Sequence, residues 1–267
     1  MGYLPGVTKA TKKDGSVYFR SSMTIKSKHV SLGSFDSEEK ANKAYEEAVQ
    51  IVRKGAYQLE DYSDDFTLDF TKFVILLNYR ETGIYFKTPI YLQTGYFYYY
   101  LSPERYLIFD RDDLFFYADH KLQVRGGYLF VCDYGSQYSI LSRYGIKGYA
   151  KKGKDYIFVN QNEYDLRYEN IRIINEYMGV TQIEQGSQPL YECVIHINGN
   201  FLVGRYKDKN TAAIAYNKAV DTLTANGIKK KYVKNFISEY SSEEYHSIYE
   251  NISISEKISG YTPRKRN

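Results

Sequence analysis

The chain has 267 residues, with 36 Lys and Arg against 32 Asp and Glu, so its formal net charge is only +4. It holds 31 Tyr and 14 Phe but no Trp, and a composition this aromatic and 43% hydrophobic excludes an intrinsically disordered chain. No run approaches about 18 apolar residues, so no transmembrane helix is expected, and two cysteines, Cys132 and Cys193, are too few for a disulfide scaffold or a thiolate zinc site. The opening residues lack a signal peptide and the Ser or Thr of a myristoylation site, and a cytoplasmic location is the expectation.

The small net charge hides an uneven distribution. Residues 1–34 carry Lys9, Lys12, Lys13, Arg20, Lys26 and Lys28 against Asp14 alone, while 35–70 is acidic. A basic N-terminal surface of this kind suits a polyanion. Within Gly6–Val49, residues Phe19, Ser21, Met23 and Ile25 alternate as a half-buried strand does. A turn at Ser27-Lys28 leads back to Leu32-Gly33-Ser34-Phe35. Ala41, Ala44, Tyr45 and Ala48 then form a low-profile helix stripe, with Asp36 and Glu39 as its expected capping box.

The middle of the chain, 58–178, reads as a β-rich domain of short strands. Thr88–Gly95, Tyr106–Asp110, Gly126–Val131 and Tyr156–Val159 are its strand-like runs, and Tyr96–Tyr100 is the densest aromatic cluster. The tyrosines are expected to fill sheet interiors first and to stack on unpaired bases only second.

From Gly179 to Val220 the first pattern returns. Both stretches open with Gly-Val-Thr. Tyr191, Cys193, Ile195 and Ile197 match the first alternation, Val203-Gly204-Arg205-Tyr206 matches the returning strand, and Ala212, Ala215, Tyr216 and Ala219 match the helix stripe. Asn198-Gly199 is a hairpin signal and Asp208 an expected N-cap. Each repeat is therefore a three-stranded antiparallel sheet crossed by one helix. Lys229-Lys230-Lys231 with Lys234 forms a basic patch after the second helix, and Ser241–Tyr245 reads as a capped short helix. The tail Arg264-Lys265-Arg266 is too short to interpret.

Strand parity separates the repeats. If Phe19, Ser21, Met23 and Ile25 face the helix, then Tyr18, Arg20, Ser22 and Thr24 face outward, joined by Thr8, Ala10, His29 and Ser31 from the flanking strands. Lys12, Lys13, Lys26 and Lys28 sit in the turns. This polar, cationic face suits phosphates and base edges. The DNA-binding residues expected are Thr8, Lys12, Lys13, Tyr18, Arg20, Ser22, Thr24, Lys26, Lys28 and His29. The second repeat instead turns Glu192, Val194, His196, Asn200 and Leu202 outward. Val194, His196 and Leu202 mark an expected protein interface, either for a host protein complex or for self-association.

The repeated unit resembles the APETALA/ethylene-response-factor DNA-binding domain. The resemblance rests on Gly6-Val7, Phe19 with Ser21 and Met23, Leu32-Gly33-x-Phe35, and Glu38-Glu39-x-Ala41-x-x-Ala44-Tyr45-x-x-Ala48. It implies a sheet laid in the major groove of double-stranded DNA, although the several Arg and Trp of the plant domains are few here. The centre resembles the HNH homing-endonuclease-like proteins of phages and viruses, through Phe109-Asp110-x-Asp112, Gly127-Tyr128, Leu141-x-Arg143, Asp165-x-Arg167 and Glu169-Asn170-Ile171-Arg172. Fusion of the two kinds of domain is common in that family. The family's chemistry needs a His to activate water and ligands for a divalent cation. Here the Leu-His-Arg position is Ser142, and the Asp-His position falls on Phe158, Val159 or Asn160. Asn170 alone assembles no site, and the dyad Asp119-His120 lies upstream of any catalytic element and is expected to be structural.

The expected fold class is α+β, with an APETALA-type module at 1–57, a degenerate HNH-like domain at 58–178, and a second module with a helical C-terminus at 179–267. The expected function is non-catalytic, sequence-recognising DNA binding of phage or mobile-element type with a regulatory role. No catalytic residue, metal site or cofactor is expected. The alternatives are a phage inhibitor of a host nuclease or defence complex, and an HNH homing endonuclease.

Overall fold

Gly6 leads into the first sheet with φ at +76°, a left-handed conformation that glycine adopts without strain. In the computed structural model, which describes residues 3–133, 136–185 and 188–263, strands β1 (Val7–Thr11), β2 (Val17–Ile25) and β3 (Lys28–Phe35) form an antiparallel sheet in that order. Its inner face buries Ser21, Met23, Ile25, Val30 and Leu32, as period-two alternation dictates. Helix α1 (Glu38–Lys54) crosses that face and buries Ala41, Ala44, Ala48 and Ile51. Its N-cap is Ser37, whose hydroxyl accepts from the Lys40 amide. Asp36, expected in the capping box, instead forms an exposed ion pair with Lys40 at 2.8 Å.

The fold is α+β. It divides into two compact units, Met1–Tyr144 with Phe158–Ile171, and Gly145–Ile157 with Arg172–Asn267. The expected boundary at 57/58 lies inside the first unit, because the chain next forms α2 (Phe70–Thr82), an apolar helix that the strand-like reading of the centre missed. Phe73, Leu76 and Leu77 of α2, with Leu68, join the core of Met23, Ile25, Val30 and Leu32. Glu47 fixes this junction. Its buried carboxylate accepts the Thr67 amide at 3.0 Å and the Leu68 amide at 2.9 Å.

The remainder of this unit is a sheet of β4 (Ile90–Leu92), β5 (Tyr96–Ser102) and β6 (Arg105–Asp110), helix α3 (Leu114–Asp119), and a sheet of β7 (Leu122–Arg125), β8 (Tyr128–Asp133) and β9 (Ser136–Ser139). The tyrosine-rich β5 alternates by face. Phe97 and Tyr99 are buried with Leu107, Phe109 and Tyr117, whereas Tyr96 and Tyr98 stack edge to face at 5.4 Å and Tyr98 meets Tyr106 at 4.7 Å. Ile140–Tyr144 forms a 3-10 turn. Strands β10 (Tyr156–Phe158) and β11 (Ile171–Ile173) pair as a two-stranded sheet.

In the second unit, β12 (Val180–Gln185), β13 (Gln188–His196) and β14 (Asn200–Tyr206) form an antiparallel sheet. Helix α4 (Lys209–Ala225) packs on it, capped by Asp208 through the Thr211 amide. Helices α5 (Ser242–Asn251) and α6 (Glu256–Ser259) complete the unit, and Ser241 with Glu244 forms the expected capping box. Asn198-Gly199 lies in a three-residue connection, since the ladder closes at His196 opposite Asn200, and not in a two-residue turn. The duplication extends to backbone detail. The Ser22 amide donates to the Gly6 carbonyl at 2.9 Å, and the Val194 amide donates to the Gly179 carbonyl at 2.8 Å. Both sheets carry a bulge at the same place, leaving Leu32 and Val203 without a cross-strand partner.

Candidate nucleic-acid interface

The bulge decides what the first sheet shows on its outer face. Ser21 pairs with Gly33, and Ser22 with Ser31, so Leu32 is an inserted residue that points into the core. Without it, Ser34 would turn inward. With it, Thr8, Arg20 and Ser34 form one transverse row on the outer face, beside the pairs Ala10–Tyr18, Ser22–Ser31 and Thr24–His29. The expected residues Thr8, Arg20, Thr24 and His29 are exposed, and Tyr18 and Ser22 half-buried. Ser34 escapes the sequence reading, because strict alternation conceals a bulge; the clue is Gly33, whose φ is +144°.

Arg20 is held rather than loose. Its Nε and Nη2 donate to the Tyr18 hydroxyl at 3.1 and 2.5 Å. The guanidinium is therefore fixed beside Tyr18, with donors left for an external acceptor. Among the described residues no carboxylate pairs with Arg20, Lys12, Lys13 or Lys26. Asp14 is the acid nearest in sequence to Lys12 and Lys13, and it is committed to the β1–β2 turn. The Ser16 hydroxyl donates to it at 2.7 Å and the Ser16 amide at 2.9 Å, and both bonds lower its pKa.

The second turn places its lysines differently. Lys26 and Ser27 both have positive φ, as a type I′ turn requires. Lys26 is exposed at the tip, but the Lys28 ammonium lies 4.5 Å over the ring of Tyr85, so Lys28 is drawn toward that ring. Tyr85 is not foreseeable from the sequence, since nothing in its local surroundings links it to β3.

The corresponding row of the second sheet is Thr181, Glu192 and Arg205. Arg205 donates to Glu192 through Nε and Nη2 at 3.0 and 2.9 Å. The same transverse row thus bears an uncompensated arginine on the central strand of one repeat, and in the other a glutamate there neutralised by an arginine on the third strand. Of the expected protein-contact residues, Leu202 and His196 are exposed and Val194 is half-buried.

Five of the residues that carried the nuclease resemblance, Asp110, Arg143, Asp165, Arg167 and Asn170, lie in two knots. Asp165 is buried and bidentate to Arg167 at 2.9 and 2.7 Å, and accepts from Asn160 Nδ2 at 2.8 Å. Burial works to raise its pKa, but the bonds from Arg167 and Asn160 outweigh this and hold it below the ordinary carboxylate value. Asn170 ties the loop by donating to the Asn162 and Asp165 carbonyls, and Asp110 accepts the Tyr168 amide at 2.7 Å. In the second knot Arg143 pairs with buried Asp113 and lies 3.9 Å over the Phe116 ring. Asp112 of the expected motif is exposed. Asp119 approaches Lys87 at 4.0 Å, while the His120 ring stacks on Phe116 and its Nδ1 lies 2.8 Å from the Phe116 carbonyl oxygen. Among the described residues no three His, Cys, Asp or Glu cluster as metal ligands would, and no helix is long and apolar enough to cross a membrane. The tail Arg264-Lys265-Arg266 lies outside the described residues.

Comparison with protein-family models, curated proteins and solved structures found no match to this chain.

Proposed function

We propose that the protein is a non-catalytic, sequence-recognising DNA-binding protein of phage or mobile-element type with a regulatory role, and that the outer face of β1–β2–β3 contacts the duplex. One observation carries this reading. Arg20, oriented by Tyr18, stands without a carboxylate partner in the row where the second repeat neutralises its arginine with Glu192. A β-sheet face can enter the major groove, where Arg pairs with guanine edges and Thr or Ser with several bases. Lys12, Lys13 and Lys26, at the two ends of the strands, would meet phosphates.

The test is an electrophoretic mobility shift on duplex DNA across a salt series. The wild-type protein should bind with strong salt dependence. Lys12→Ala should lower the salt slope by about 1, and Arg20→Ala should relax base preference at a cost of about 1–3 kcal/mol. Unchanged affinity and slope in both variants would refute the proposal.

A second reading is favoured by a different feature. Phe115 is 88% exposed and Tyr128 79% exposed in the first unit, and large exposed rings of this kind serve protein contacts. A host protein complex is the partner in that reading. Pull-down from lysate with and without nuclease treatment separates the two.

A further inference from the structure

The second unit holds a groove of about 680 Å³ over the outward side chains of Glu192, Val194 and His196. One wall is the segment around Tyr149, Lys151 and Lys154, and the other is the segment Lys230–Val233. The second wall is anchored. Lys230 Nζ donates to the His196 carbonyl at 2.8 Å, and Asn235 and Asn217 exchange backbone and side-chain hydrogen bonds at 2.7 and 2.9 Å.

The groove contains both signs of charge; its acids are matched and Lys230 is anchored, but three of its lysines have no carboxylate partner. Asp155 accepts the Lys151 amide at 2.8 Å and the Asn175 side chain at 3.3 Å, and Glu192 accepts from Arg205. Among the described residues, no carboxylate pairs with Lys151, Lys154 or Lys231, and all three are exposed. The aromatic rings of Tyr149 and Tyr232 line the same space. Ammonium groups beside accessible rings are the elements that hold an unpaired nucleic-acid strand: phosphates on the cations, bases on the rings.

We propose that this groove binds single-stranded nucleic acid, with Lys151, Lys154 and Lys231 on phosphates and Tyr149 stacking on a base. This site is separate from the duplex-binding face and does not depend on it. The experiment uses the full chain, a fluorescein-labelled oligothymidylate of about twelve nucleotides, and fluorescence anisotropy at several salt concentrations. The wild-type protein should bind it. The double variant Lys151→Glu, Lys231→Glu should weaken binding at least tenfold and reduce the salt slope by roughly 1.4, the value for two single-strand phosphate contacts. Tyr149→Ala should weaken it roughly fivefold or more. Circular dichroism of each variant verifies the fold, which substitutions at exposed positions leave intact. Duplex binding by the same variants should be unchanged, while Arg20→Ala should affect the duplex and leave the oligothymidylate alone. The proposal is overturned if the wild-type protein does not bind the oligonucleotide, or if the groove variants bind it as the wild type does. It is also overturned if polyglutamate competes as well as the oligonucleotide, because the rings would then contribute nothing.

Discussion

The ring of Tyr45 fills the space into which any side chain on Gly6 would project, and Tyr216 stands in the same relation to Gly179. In both repeats the glycine has positive φ, its carbonyl accepts an amide at the bulge of the central strand, and the tyrosine comes from the same position of the crossing helix. The entering chain, the sheet and the helix are thereby locked at one point.

Gly6→Ala should therefore cost roughly 2–4 kcal/mol, combining left-handed strain with overpacking. Tyr45→Ala added to it should recover part of that loss. Urea unfolding of the two single variants and the double variant measures the coupling, and additive costs would show that the ring and the glycine act separately.

Ser21 is the counterpart of Cys193. Both are buried at the bulge, but the Ser21 hydroxyl has no hydrogen-bond partner among the described residues. An unsatisfied buried hydroxyl costs stability. Ser21→Cys should raise stability by about 1 kcal/mol, read as a shift of the urea midpoint at constant slope.

The Asp165–Arg167 pair predicts acid sensitivity. A carboxyl whose folded pKa is lowered contributes stability that is fully present above its unfolded value, near 3.8, and is lost as pH falls through the folded value. Arg167→Met should raise that folded value and move the acid-unfolding midpoint to higher pH. A pH titration by circular dichroism checks the direction.

Ser34→Glu would give Arg20 the partner that Arg205 already has in Glu192. Duplex affinity should fall about tenfold or more, since one favourable charge is neutralised and one repulsive charge is added. Titration of labelled duplex with this variant tests it; an unaltered dissociation constant would place the contact elsewhere.

Much of this architecture could be read from residue order. The two helices with their Ala and Tyr stripes, the inward row Met23, Ile25, Val30, Leu32, and the Asp208 and Ser241 caps all follow from local periodicity and capping chemistry. Other features depend on neighbours distant in sequence. The run Phe73–Leu77 is apolar on every side, so no period marks it as a helix; its burial comes from α1 on one side and β4 on another. The β2–β3 hairpin turns at Lys26-Ser27, one residue before the expected Ser27-Lys28, because no glycine marks the two positive-φ positions. For the candidate interface, the outward row on β2 is legible, but Ser34 depends on the bulge and Tyr85 on tertiary folding.

Glu47 sets how short a fragment of the first repeat can be and still bury its own core. By holding the Thr67 and Leu68 amides it binds the repeat to α2, and Phe73, Leu76 and Leu77 supply part of the repeat's own core. A gene segment ending at residue 57 would encode a sheet and helix with an open apolar flank. The first repeat is therefore not self-contained, since its core is completed from outside it. A fragment meant to fold as the first repeat must carry α2 as well.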